Sequence, residues 1–226
     1  MKIGFFGKLP GYGDFVQRNI SPAIIDYWDN WMSQSIDASQ GVLGQEWRDV
    51  FFNSPIWRFH IQGGVVVADA ISGLMMPSVD SAGRCYPFLV VCQIKPHTNV
   101  YTLASKIDSC HASCEDFIIG LLDQHRPDLD EIVQVLQTNY TKLRCHLFPD
   151  TKHTTNTHNP ELYRAIDHHS SSFSEIHEEF LAHLVEQQSG PISIWHTTQN
   201  LQVKKQYRYY QGMPPVDAFA TLLRGK

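Results

Sequence analysis

The hydrophobic positions of this chain change rhythm several times, and each change marks an element. Lys2 to Phe6 is a short apolar opening that reads as a strand, and a Gly/Pro-rich loop from Gly7 to Asp14 follows it. Ser21-Pro22 then supplies an N-cap with proline at the first helical position. Behind it Ile24, Trp28, Trp31 and Met32 recur at helical spacing, as a single buried stripe requires. Leu43, Trp47, Val50 and Phe51 repeat that spacing in a second helix, which Asn53-Ser54-Pro55 stops.

The period then falls to two. Trp57, Phe59 and Ile61 alternate with Arg58 and His60, the pattern of a half-buried strand. Gly63-Gly64 signals a turn, Val65 to Met76 reads as the next strand, and after a loop from Pro77 to Pro87 the run Phe88 to Ile94 is apolar enough for a central strand. Short connections between these strands predict an antiparallel meander rather than crossover units. Leu103, Ile107, Cys110, Cys114, Phe117 and Leu121 form a long amphipathic stripe, and Asp128 with Glu131 resembles a capping box for a helix through Leu136. From Thr151 to Ser172 the chain is polar and reads as a mobile excursion. A helix over about 173–187, strands near Ile192–His196 and Lys204–Gln211, and a last helix opened by Pro214-Pro215 complete the pattern. Helices and strands come partly in blocks, so the expected fold is α+β: a mainly antiparallel sheet packed by helices, in a single compact domain over residues 1–226. Two small lobes are the alternative.

Composition narrows the function classes. Eighteen Lys plus Arg against 23 Asp plus Glu give a net charge of -5, and no basic run is present, so nucleic acid is not an expected partner. Gly7, Lys8 and Pro10 cut the N-terminal apolar run, which therefore does not resemble a signal peptide, and no apolar stretch reaches the roughly 20 residues that span a bilayer. No membrane insertion and a cytoplasmic location are expected. Five cysteines, in a reducing compartment, argue against a disulfide framework.

The candidate chemistry is sparse. In FFGKLPGYGDF the lysine is followed by Leu9-Pro10, where a Walker A loop needs Ser or Thr, so a structurally fixed loop is favoured over a nucleotide site. Cys110-His111 with Cys114 has a metal-site look, yet both cysteines fall on an apolar helical stripe, where free Cys packs as a small hydrophobe. The histidines of HEEFLAH are six apart rather than four, which is not the zincin spacing. The histidine-rich segments read as solvated surface. No GxSxG elbow is present. No catalytic residue, cofactor or metal is therefore expected.

Three segments concentrate exacting residues: GKLPGYGDF with Arg18, SPIWRF, and PSVDSAGRCYPF. Together with LGQEW and the helix holding Trp28, Asp29 and Trp31, their order and spacing resemble the N-terminal signature of the TagF family. The tail is similar too, in SIWHTTQ, GMP and Phe219 to Leu223, with His196 where a second Trp is usual and Met213 where Leu is usual. The resemblance covers both ends and most of residues 1–95. It implies a non-enzymatic accessory protein of the bacterial type VI secretion system that holds assembly or firing in check after translation. The implied partner is the forkhead-associated (Fha) scaffold, and the effect parallels or opposes a threonine phosphorylation pathway. The alternatives are a small-molecule sensor or degenerate enzyme using the glycine-rich loop, or a structural subunit of the apparatus. Asp14, Arg18, Trp57, Arg58, Asp80 and Arg84 are the candidate site residues. Their loops are expected to converge at one end of the sheet, as a recognition surface or as an ion-pair network that orders the loops.

Overall fold

A computed structural model describes residues 1–96, 98–147, 190–198 and 205–225. Its strands are β1 (Lys2–Gly7), β2 (Val16–Arg18), β3 (Trp57–Ile61), β4 (Ala70–Met76), β5 (Phe88–Ile94), β6 (Ile192–His196) and β7 (Tyr207–Gln211). The helices are α1 (Pro22–Leu43), α2 (Trp47–Phe52), α3 (Val100–Gly120), α4 (Leu129–Leu147) and a final α5 (Phe219–Arg224). The strands form one open sheet in the order β2-β1-β5-β4-β3-β6-β7, with every neighbouring pair antiparallel. The α+β class is the expected one, and β3, β4 and β5 form the meander.

Helices cover both faces of the sheet. Phe5, Leu74, Val90 and Cys92 pack under α3 and α4 with Ile107, Cys114, Ile118 and Leu136. Phe59, Ile71, Leu89, Val91 and Trp195 pack on the other face with Trp28, Trp31, Phe51 and Phe219 from α1, α2 and α5. Two covered faces explain why β4 is buried along its whole length, although antiparallel sheets often leave one side wet. At the centre Gly73 makes room for a ring: a Cβ there would lie 1.9 Å from the Val90 carbonyl oxygen and 2.6 Å from Phe59 Cζ.

Several expectations are corrected. All five residues of β3 are buried, not alternate ones, because α3 lies over the side that carries Arg58 and His60. β4 starts at Ala70 rather than Val65, and β7 at Tyr207 rather than Lys204. α4 runs past Leu136 to Leu147, with the Asp128 carboxylate accepting from the N–H groups of Asp130 and Glu131. The short β2 carries too few residues to show a period. A 3-10 turn at Gly44–Glu46 separates α1 from α2, and another at Val216–Ala218 follows the paired prolines and precedes α5. The excursion at 151–172 and the helix at 173–187 lie outside the described residues.

Candidate functional site

At one end of the sheet β1 leaves for the loop 8–15, β4 turns through 77–87 into β5, and β3 begins. Gly7 permits the close approach of the first two: its φ is +140°, and a Cβ would sit 2.2 Å from the Pro87 carbonyl oxygen. Asp80 joins the loops. One of its oxygens accepts from the N–H groups of Ala82 and Arg84, both at 2.9 Å. The other accepts from Lys8 Nζ at 2.9 Å and Arg84 Nε at 2.7 Å. These four donors fill the acceptor capacity of a carboxylate. Burial works to raise the Asp80 pKa, but the Lys8 and Arg84 bonds outweigh it and hold the carboxyl well below the usual range. Around this centre Ser78 Oγ donates to the Lys8 carbonyl at 2.7 Å, the Ser81 N–H to Tyr12 at 2.9 Å, and Arg84 Nη2 to the Gly13 carbonyl at 2.6 Å.

The outer surface of these loops is exposed. Arg84 keeps 60% of its side chain in solvent although its Nε is tied to Asp80. Phe15, 41% exposed, stacks on Phe6 and meets the edge of Tyr86. Arg48 of α2 donates to the Gly83 carbonyl at 3.2 Å and lies 5.3 Å over the ring of Phe52, which is 42% exposed. Two arginines and two phenylalanines thus flank a loop pair whose buried centre is an ion-paired carboxylate. Asp14 is on the same loop as Phe15 and accepts from its N–H at 2.8 Å.

Beneath α3 is a second polar group, enclosed except at Asp108, whose side chain is half exposed. Arg58 grips Glu115 with two bonds, at 2.6 and 2.8 Å, and its Nη1 also engages the Asp108 carboxylate. Beside it His60 and His196 are joined ring to ring at 3.1 Å, and the Ser72 hydroxyl lies 3.0 Å from His60 Nδ1 and 3.2 Å from His111 Nε2. Burial is the main force pushing all three histidines below their ordinary pKa, His196 to about 4; Arg58 adds to it in each, while Asp108 opposes it at His196. Among the described residues the ring nitrogens Nδ1 of His111 and His196 have no hydrogen-bond partner. Among the described residues no group of three His, Cys, Asp or Glu is placed to hold a metal ion. Cys110 and Cys114 pack in the core under α3 with Cys92.

The six candidate residues therefore do not form one site. The loops do meet at one end of the sheet, but the side chains part. Asp80 and Arg84 come together, with Asp14 on the adjoining loop. Arg18 reaches α4 instead, in an exposed pair with Asp130 at 2.9 Å. Trp57 lies on the opposite face from Arg58 and donates from Nε1 to the Leu222 carbonyl at 3.0 Å. Adjacent strand residues point to opposite faces, so Trp57 and Arg58 could not share a surface; that signal was present in the pattern itself. Lys8, Phe15 and Arg48 belong with Arg84 but were not singled out. The histidine cluster was missed as well, although Arg58 and His60 sit two apart in β3 and His196 in the neighbouring strand, positions that share a face.

Residues 4–138 match the TagF N-terminal domain family, described as type VI secretion system-associated. The crystal structure of PA0076 from Pseudomonas aeruginosa PAO1 is similar, with a TM-score of 0.75 and 26% identity over 99% of this chain and 94% of that one. Comparison with curated proteins returns no match. Among the described residues no helix is long and apolar enough to cross a membrane.

Proposed function

This chain belongs to the TagF family of type VI secretion-associated proteins, and from that membership we propose that it restrains secretion after translation by binding a protein partner. The proposed partner is the forkhead-associated scaffold of the apparatus, met in the cytoplasm, and the role is non-catalytic. What supports binding is an exposed quartet, Phe15 and Arg84 on the loops ordered by Asp80, and Arg48 and Phe52 on the adjoining α2. Aromatic and arginine side chains are the residue types that dominate binding energy at protein interfaces. The non-catalytic reading is supported by the enclosure of the groups that could do chemistry. Ser72, His60 and His111 are all fully buried between α3 and the sheet, with the Ser72 hydroxyl bonded to both rings.

The test is a calorimetric titration of the purified chain with the purified scaffold. Binding by the native chain, and its loss in Arg84→Ala and Phe15→Ala with folding intact, supports the proposal. A native chain that does not bind the scaffold sinks the partner assignment.

A further inference from the structure

The two edges of the sheet are built differently. β2 is a three-residue strand, and its last residue Arg18 is tied to α4 through Asp130. Short length and a charged, engaged side chain are the usual means of blunting an edge. β7 is longer, and its one charged residue, Arg208, is turned to Gln206 and Trp57 rather than across the edge. It runs five residues without proline, and among the described residues it pairs with β6 alone. The helices lie over other strands, α3 against β3, β4 and β6 and α4 against β1 and β2.

The register shows which backbone groups β7 leaves free. The Thr197 N–H donates to the Gln206 carbonyl, and the Gly212 N–H to Pro191. In an antiparallel ladder bonded and non-bonded pairs alternate, so the even positions from 206 to 212 face β6. The N–H and C=O groups of Tyr207, Tyr209 and Gln211 therefore point outward, ready for another strand. The side chains of Tyr207 and Tyr209 are 65% and 51% exposed and lie on one face. Lys205 sits over the Tyr207 ring at 5.2 Å, and Arg208 reaches toward Trp57 on the other face. The run from Lys205 to Gly212 holds two cations and no carboxylate, in a chain whose net charge is -5. Asp108, within electrostatic reach of Lys205, is already engaged by Arg58.

We propose that the outer edge of β7 is a docking site that takes an extended acidic segment of a partner protein as a further strand. The backbone of Tyr207, Tyr209 and Gln211 supplies the ladder, the two tyrosines supply an aromatic shelf for alternate side chains, and the positive charge of Arg208 on the opposite face, with Lys205 at the start of the strand, selects for carboxylates. Charge complementarity favours this occupant over a second copy of the chain, which would bring the same two cations against themselves. The site is separate from the Phe15–Arg84 surface, so failure at one leaves the other standing.

The probe is a synthetic peptide alternating Glu with Val and Phe, compared with its Lys counterpart, and the readout is hydrogen–deuterium exchange on the full chain. The Glu peptide slows the amides of Tyr207, Tyr209 and Gln211 at least about tenfold, and the Lys peptide does not. Tyr209→Pro removes an outward N–H without touching the bonds to β6 and abolishes the effect. Lys205→Glu with Arg208→Glu reverses the peptide preference, and this variant carries the test if the proline variant does not fold. No slowing by the Glu peptide overturns the proposal, as does equal slowing by both peptides. Protection of the three amides in the chain alone, with a doubled mass in solution, assigns the edge to a second copy and overturns it too.

Discussion

His60 and His196 are joined Nε2 to Nε2 at 3.1 Å on neighbouring strands, under a helix that shields both from solvent. One ring must donate and the other accept, so the pair is stable only while at least one is neutral. An added proton would create charge beside Arg58, and an N–H at Nδ1 of His196 would find no hydrogen-bond acceptor among the described residues. A histidine with a lowered folded pKa binds protons more readily when unfolded, so stability is complete above the unfolded value of 6.5 and falls as pH drops from there. For His196 the loss continues down to about 4. Between about pH 7.5 and 5 this one ring lowers stability by about 2 kcal/mol, with His60 and His111 adding to the slope. Urea midpoints across that range measure it, and a flat profile contradicts the buried neutral cluster.

Glu115→Ala leaves the Arg58 guanidinium enclosed with only Asp108 as a charged partner. The expected cost is roughly 3–5 kcal/mol, the usual penalty for stranding a buried charge. Replacing both Arg58 and Glu115 with apolar residues of similar volume should recover most of that. Denaturant unfolding of the single and double variants distinguishes a stranded charge from lost packing.

Asp80 and Arg84 should separate in a mutant pair. Asp80 is enclosed and holds Lys8, two loop N–H groups and Arg84, so Asp80→Ala costs about 3–5 kcal/mol. Arg84 is mostly exposed, so Arg84→Ala changes folding stability by less than about 1 kcal/mol. Its effect is instead expected in partner binding, with a loss of about 2 kcal/mol or more. Unfolding in both variants, or native binding in both, would remove Arg84 from the recognition surface.

In cells, deleting the gene should raise type VI secretion and overexpressing it should lower secretion. The amount of secreted tube protein in culture supernatant is the measurement. A deletion that abolishes secretion would identify a structural subunit instead.

Where one face of an element was apolar and long, the chain declared itself. The stripe of Ile24, Trp28, Trp31 and Met32 and the run Phe88 to Ile94 gave their elements with nearly correct bounds. The polar face of β3 misled, because alternation reports only the chemistry of a face and not what covers it. Arg58 and His60 look solvated until α3 arrives with Asp108, His111 and Glu115, residues that are 50 or more positions away. The same limit applies at the loops. Asp80 and Arg84 are close in sequence and their pairing was readable, but Lys8 lies 72 positions from Asp80, and only the β1–β5 pairing brings them together.

Trp57 and Arg58 hold opposite layers from consecutive positions, one bonded to the last helix and the other to α3. The family match ends at residue 138, before β6, β7 and α5. A fragment cut there would keep the residues by which the family is recognised, yet it would bare β3 along the edge where β6 belongs. It would also strip Trp28, Phe59 and Trp57 of their contacts with Trp195 and Leu222. The matched stretch is therefore expected to depend on β6 and α5 for its stability. Expressed alone it should be recovered as insoluble aggregate, and co-expression of the C-terminal residues should restore it to the soluble fraction.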